Sequence, residues 1–281
     1  MTATVGAAGR TPPWRPYALV TLCGLLVVSG TVGLLATMET VAITGWVGGG
    51  VAGSFAALTV VIGWVMASTT PRAGERRITA ATWITLCRGW ALVVFTGVVA
   101  LAPTATRIGW IALGLFLAAI TLDAVDGAVA RRTETETALG ARLDTEVDAL
   151  IVLVGTVATV ALGLVPAVFL LVGLARYGFV GGVALRRRRG LPVYDLEASR
   201  YRKVTGALIM GTIALGLLPT VDPAVSRAVG WLVTGPILAH FVWDYFGVSG
   251  RRGRRGRTVR DGGWTVHDGE RSGAGEPKGD R

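Results

Sequence analysis

Eight apolar stretches, each close to the length of a membrane span, limit what this chain can fold into. They run approximately over residues 17–37, 41–67, 83–102, 108–129, 145–164, 166–185, 204–219 and 228–247. About 20 apolar residues in a helix match a hydrocarbon core roughly 30 Å thick. Inside that core the backbone must satisfy its own polar groups, which leaves helices or closed barrels. Barrel strands would read as short alternating segments, and these stretches are long and continuous. With 52% hydrophobic and 16% charged residues, and a mean hydropathy of +0.56, the sequence reads as an all-α, polytopic transmembrane helix bundle. The first stretch is longer than the apolar region of a cleaved signal and is followed at once by the second, so it too reads as a span.

The charges between the stretches alternate. One set of connections holds Arg10 and Arg15, then Arg72, Arg76 and Arg77, then Arg131, Arg132 and Arg142. It continues with Arg186 to Arg189, Arg200, Arg202 and Lys203. The opposite set holds Glu39, Arg107, Asp222 and Arg227. Arginine and lysine favour the cytoplasmic side, so both termini are expected in the cytoplasm, and an even number of spans agrees with this. The net charge of +10 therefore reads as topology and does not point to nucleic acid. Residues 1–16 form a cytoplasmic N-terminal segment. Residues 248–281 are poor in aliphatics and rich in Gly, Arg and Asp, so they read as a disordered basic tail suited to the anionic leaflet surface. Cys23 and Cys87 lie in or beside apolar stretches and suggest neither a disulfide nor a zinc site. His240 reads as a packed residue of the last span. Gly45, Gly49 and Gly53, four residues apart, offer a face for close helix approach, either to the first span or to a second copy.

Four carboxylates interrupt this apolar pattern. Asp123 and Asp126 are three residues apart, and Asp144 and Asp148 four apart, so each pair shares one helix face. About 16 residues, or roughly 24 Å of helix rise, separate Arg107 from Asp123. Both pairs are thus expected near the cytoplasmic ends of neighbouring spans, facing one another. Carboxylates beside a membrane core need partners, and an oxygen-only set suits Mg²⁺ or Mn²⁺, which commonly join carboxylates to phosphates. Gly127 and Gly140 leave room for a ligand at the backbone, and Arg131 can hold phosphate through its planar fork. A diphosphate is the natural guest. The alternative is an ion-coupled transporter that uses the same aspartates as a relay. Glu134, Glu136 and Glu146 do not fit the ligand spacing and read as surface residues, while Arg132 and Arg142 read as solvated or orientation-setting.

The pattern Asp123-x2-Asp126-Gly127-x2-Ala130-Arg131-x8-Gly140-x3-Asp144-x3-Asp148 resembles the signature of the CDP-alcohol phosphatidyltransferases, with every defining position filled. Ahead of it the family often carries Asn-x2-Thr-x2-Arg. Here Thr85 and Arg88 match, and Thr82 stands in place of the Asn. The resemblance implies a six-helix catalytic core, residues 68–247, preceded by two additional membrane helices at 17–67. It implies a membrane enzyme of phospholipid biosynthesis that moves a phosphatidyl group from a CDP-linked lipid such as CDP-diacylglycerol to an alcohol, releasing CMP. Asp123, Asp126, Asp144 and Asp148 would then hold Mg²⁺ or Mn²⁺, as a pair of ions. Asp148 would serve as general base, with pure metal ligation as its other reading, and Gly127, Arg131 and Gly140 would contact the cytidine diphosphate. The family setting also implies a plasma-membrane protein with its site facing the cytoplasm, and homodimers are common among its members.

The signature does not name the acceptor alcohol. Arg176 is the only charge within 166–185, so it is a candidate to bind an acceptor phosphate, or else a partner for the aspartates. The segment Arg200-Tyr201-Arg202-Lys203-Val204-Thr205 loosely resembles a Lys-rich stretch of phosphatidylglycerophosphate synthases, ending like it in Lys-x-Thr. Arg202 and Lys203 are therefore acceptor candidates as well as topology charges. Together these residues favour a small phosphorylated polyol, glycerol 3-phosphate or inositol phosphate.

Overall fold

The structure, a computed structural model, describes residues 14–38, 45–69, 78–101, 106–133, 137–194 and 200–250. The expectations for residues 1–13 and for the tail beyond 250 lie outside the described residues. Among the described residues there are eight α-helices and no strand: α1 (Trp14–Met38), α2 (Gly45–Ser68), α3 (Ala80–Leu101), α4 (Thr106–Thr133), α5 (Ala138–Ala161), α6 (Leu170–Arg188), α7 (Arg200–Leu217) and α8 (Pro223–Val248). The bundle is all-α, as its apolar stretches require.

Local chemistry sets the helix ends. The Thr137 side chain accepts from the Gly140 amide at 3.0 Å and so opens α5, supplying a partner for an amide that the first turn leaves unpaired. Beyond the other end of α5, Gly163 adopts φ 68°, the left-handed conformation in which helices commonly stop. Pro166 then precedes a short 3-10 turn, Ala167–Phe169, that leads into α6. Asp222 caps α8 by accepting from the Ala224 amide at 2.8 Å, with Pro223 in the first turn.

Two sets of contacts fix which helix ends meet. At one end, Ser226 of α8 donates to the Leu164 carbonyl, and Gly109 of α4 lies against Pro219 after α7. At the other, the start of α5 meets the start of α3 and the ends of α2 and α4, and Tyr194 bonds through its amide to Val248 at the end of α8. The polar residues singled out in the sequence gather at this second end.

Helix α3 is the centre of the bundle: 67% of its span Ala80–Ala100 is buried, against 17% for the spans in α1 and α2. Phe95 of α3 meets Phe116 of α4 at 5.9 Å between ring centroids, and Ile151 and Ile213 fill the core beside them. The outer surface is apolar in turn, with Leu22, Leu26, Trp64, Trp231 and Leu232 all exposed, as a lipid-facing bundle requires. Among the described residues, five helices are long and apolar enough to cross a membrane, those containing Arg15–Leu34, Gly48–Ser68, Ala80–Ala100, Ala167–Arg188 and Pro223–Val248, while the apolar part of α4, Ile108–Asp123, is shorter. Eight spans were expected. Helix α5 is less apolar because Arg142, Asp144, Glu146 and Asp148 occupy its first half, and α7 because Arg200, Arg202 and Lys203 open it.

Within the chain, Gly49 and Gly53 of α2 do not mark a close helix approach, and the surroundings of Gly45 lie outside the described residues. A Cβ on Gly49 or Gly53 would meet nothing within 4 Å. The close approaches use other glycines: Gly24 of α1 lies against Trp90 of α3, Gly89 of α3 against Leu58 of α2, and Gly97 of α3 against Val51 of α2. Small residues permit close approach, but the shape of the partner decides where it occurs. Helices α5 and α6 meet the same way at Gly173, where an added Cβ would collide with Thr156 Oγ1 and lie 3.3 Å from Leu153 Cα. Gly173→Val is expected to force these helices apart and to destabilise the fold by about 1–3 kcal/mol, the usual range for overpacking. Thermal unfolding of the purified protein checks it; an unchanged midpoint would remove this contact from the account.

Candidate active site

Arg88 draws together three carboxylates at the polar end of the bundle. Arg88 lies two turns into α3, and its side chain is 1% exposed. Its Nε donates to the Ala119 carbonyl of α4 at 3.0 Å. Its Nη1 reaches Asp123 Oδ1 at 2.9 Å and Asp144 Oδ1 at 2.6 Å, and its Nη2 pairs with Asp148 Oδ1. One planar guanidinium thus ties α3 to α4 and α5. Its fixed fork suits several carboxylates at once, which a lysine could not match.

The expected pairing of two aspartate helices is therefore seen in three of its four members. One carboxylate oxygen from each of Asp123, Asp144 and Asp148 lies within 4.8 Å of the others. Asp126, Gly127 and Arg131 continue α4, but their side chains lie outside the described residues. The burial is asymmetric: Arg88 is enclosed, while the three carboxylates are 45%, 36% and 44% exposed. The guanidinium forms the floor of the cluster, and the carboxylates lie on its more exposed side.

Charge and donor type both fit a divalent ion. In their ionised forms, three aspartates against one arginine leave two negative charges uncompensated among these four side chains. Each carboxylate has about four acceptor sites, so the bonds to Arg88 leave capacity for coordination. All the donors are hard oxygens, the set that Mg²⁺ and Mn²⁺ prefer.

Gly140 allows this arrangement to close. A Cβ there would lie 3.1 Å from Thr82 Oγ1 on α3 and 3.1 Å from the capping Thr137 Oγ1. Thr82 is buried and shares a hydrogen bond with Thr79 at 3.0 Å. The first turn of α5 thus sits directly against the first turn of α3, six residues before Arg88. Thr85, also buried, bonds back to the Ala81 carbonyl.

The acceptor candidates lie at the same end, two of them beside a carboxylate. Arg176 of α6 donates to Glu146 of α5 at 3.4 Å. Glu146 was expected at the surface; it is instead 23% exposed and ion-paired, because it faces α6 while Asp144 and Asp148 face α3. Arg202 of α7 lies 3.9 Å from Asp244 of α8, which is also 3.6 Å from His240. His240 is packed into the last helix, as expected. Lys203 is exposed. Arg142, expected to be solvated or orientation-setting, lies over the Trp64 ring of α2 at 4.7 Å.

Arg88 is the residue that spacing arguments undervalue. It stands outside the four-aspartate pattern, yet it is the only charge in the third apolar stretch. That signal, applied to Arg176, applies with greater force here.

A family model described as CDP-alcohol phosphatidyltransferase matches residues 78–241. The match covers more than half of the chain, from the residues before α3 into the last turns of α8, and leaves α1 and α2 outside it. No curated protein matches the chain.

Proposed function

The chain belongs to the CDP-alcohol phosphatidyltransferase family, and from that premise we propose that it moves a phosphatidyl group from CDP-diacylglycerol to a small phosphorylated polyol. The family is one of transferases that act between a CDP-linked alcohol and an acceptor, and the apolar helices make this chain an integral membrane protein. The observation that carries the finer reading is the Arg88 cluster, which gathers Asp123, Asp144 and Asp148 into one outward-facing oxygen site.

In this reading Asp123, Asp126, Asp144 and Asp148 hold Mg²⁺ or Mn²⁺, as a pair of ions. When bound, such ions neutralise the diphosphate and stabilise the departing CMP. Gly127, Arg131 and Gly140 lie along the cytidine diphosphate. Asp148 accepts the proton of the acceptor hydroxyl as its oxygen attacks the β-phosphorus, and the bond from that phosphorus to CMP breaks. General-base assistance of this kind is worth about 10²–10⁴-fold. Arg176, Arg202 and Lys203 approach the acceptor's own phosphate, whose charge matches theirs. The same reading puts this end of the bundle, and both termini, at the cytoplasmic face of the plasma membrane, the side that the basic connections favour.

An acceptor screen tests the proposal. Purified full-length protein with Mn²⁺ or Mg²⁺ and CDP-diacylglycerol is expected to release CMP with glycerol 3-phosphate or an inositol phosphate, and not with serine. The mass of the lipid product identifies the acceptor. Release with serine alone would overturn the acceptor class. Arg176→Gln is expected to raise KM for the acceptor by about tenfold with kcat little changed, as loss of one charged hydrogen bond to a ground-state group predicts. An unchanged KM would remove Arg176 from the acceptor site.

A further inference from the structure

We infer that the N-terminal pair α1–α2 braces the carboxylate site from behind, and that Arg142 is the positioning residue through which it acts. The inference rests on the metal reading given above. Helix α2 touches two of the three helices that carry the site, α3 and α5. On α3, Leu58 of α2 sits against Gly89, the neighbour of Arg88, close enough that a Cβ would lie 3.1 Å from its methyl carbons. Gly24 of α1 covers Trp90, the next residue along. On α5, the contact is Arg142, two residues before Asp144.

Arg142 engages the end of α2 in two ways. Its Nη1 donates to the Ser68 carbonyl at 3.3 Å, and its guanidinium lies 4.7 Å from the centre of the Trp64 ring. Trp64 and Ser68 are four residues apart and share one face of α2. Ser68 is the last residue of that helix, so Arg142 caps a carbonyl that has no partner within it, at the negative end of its dipole. Around α5, Arg142 and Asp144 are about 200° apart. The arginine thus holds one side of the first turns of α5 against α2, while the aspartate meets Arg88 on the other. Among the described residues, the hydrogen bond and ring contact of Arg142 are made to Ser68 and Trp64 of α2 and not to Asp123, Asp144 or Asp148.

Besides this clasp, the described contacts at the start of α5 are the Thr137 cap, the Thr82–Gly140 approach, the buried Leu139, Leu143 and Val147, the Glu146–Arg176 pair and the site itself; of these, the clasp is the one that ties these turns to the end of α2. Supports one step removed from metal ligands commonly change metal affinity by about 10–100-fold, and an indirect brace belongs at or just below the low end of that range. Mn²⁺ binding to the full-length protein in detergent, followed by electron paramagnetic resonance without any substrate, reads the effect directly. Arg142→Ala is expected to weaken Mn²⁺ binding about three- to tenfold. Trp64→Leu, which keeps an apolar residue toward lipid, is expected to act in the same direction. The double variant should be no worse than Arg142→Ala alone, since the two residues form one contact. Arg142→Lys, which keeps a cation over the ring, should recover part of the loss.

Wild-type affinity in Arg142→Ala, even with a lowered unfolding temperature, would overturn the inference and leave the clasp as a stabiliser of the bundle. Fully additive effects in the double variant would overturn it too. Wild-type protein that takes up no Mn²⁺, or an Asp144→Asn variant that binds it as tightly as wild type, would overturn the metal reading and the inference with it.

Discussion

Asp144→Asn is expected to abolish CMP release, lowering it by about a thousandfold or more while the protein stays folded. The two side chains have the same shape, so the asparagine can still accept a hydrogen bond from Arg88 Nη1, which lies 2.6 Å from the carboxylate in the wild type. What is lost is charge. Among Arg88, Asp123, Asp144 and Asp148, the uncompensated negative charge falls from two to one, and a divalent ion loses one of its anionic ligands. Metal-supplied charge stabilisation is worth several kcal/mol, and each ~1.4 kcal/mol is a factor of ten in rate. The readouts are CMP release from CDP-diacylglycerol and Mn²⁺ uptake, with thermal unfolding as the control for folding. Full CMP release by Asp144→Asn would overturn the metal assignment. An ion-coupled transporter built on the same aspartates gives a different pattern, in which solute flux in proteoliposomes depends on Asp144 and no CMP appears.

The helices were legible because a membrane core allows few alternatives. Each of the eight apolar stretches corresponds to one long helix. The largest boundary difference is informative. Hydropathy begins the fifth stretch at residue 145, whereas α5 begins at Ala138. Hydropathy marks where apolar residues begin, and α5 carries Gly140, Arg142 and Asp144 in the polar turns before that point. The aspartate spacing was legible for a similar reason, since helical periodicity alone puts each pair on one face. What periodicity could not supply was the partner. A spacing argument works within one helix, and Arg88 acts across three. Glu146 shows the same limit: it fails the ligand spacing with its neighbours on α5, but its partner, Arg176, stands on α6. The clasp at Arg142 depends on the aromatic face of Trp64, far back in the chain, and neither residue is unusual in its own stretch.

Arg88→Met is expected to cost more stability than any other single change at the site. Methionine fills much of the arginine's volume but leaves Asp123, Asp144 and Asp148 facing one another without their shared cation, and leaves the Ala119 carbonyl without the Nε donor. Breaking a buried ion pair by removing one partner costs about 3–5 kcal/mol. Here the carboxylates are 36–45% exposed, so hydration recovers part of that cost, and roughly 2–4 kcal/mol remains. At about 2–4 °C per kcal/mol for a protein of this size class, the unfolding midpoint should fall by roughly 5–15 °C. The cause is specific, because the carboxylates lack positive charge more than they lack packing. Two measurements separate these. Adding Asp123→Asn to Arg88→Met should restore stability, since it removes a repelling charge. Millimolar Mg²⁺ should raise the midpoint of Arg88→Met by more than it raises that of the wild type, because the ion then replaces the guanidinium as well as occupying its own place. A midpoint that falls but responds to neither change would make Arg88 a packing residue, and a midpoint that does not fall would remove it from the centre of the site.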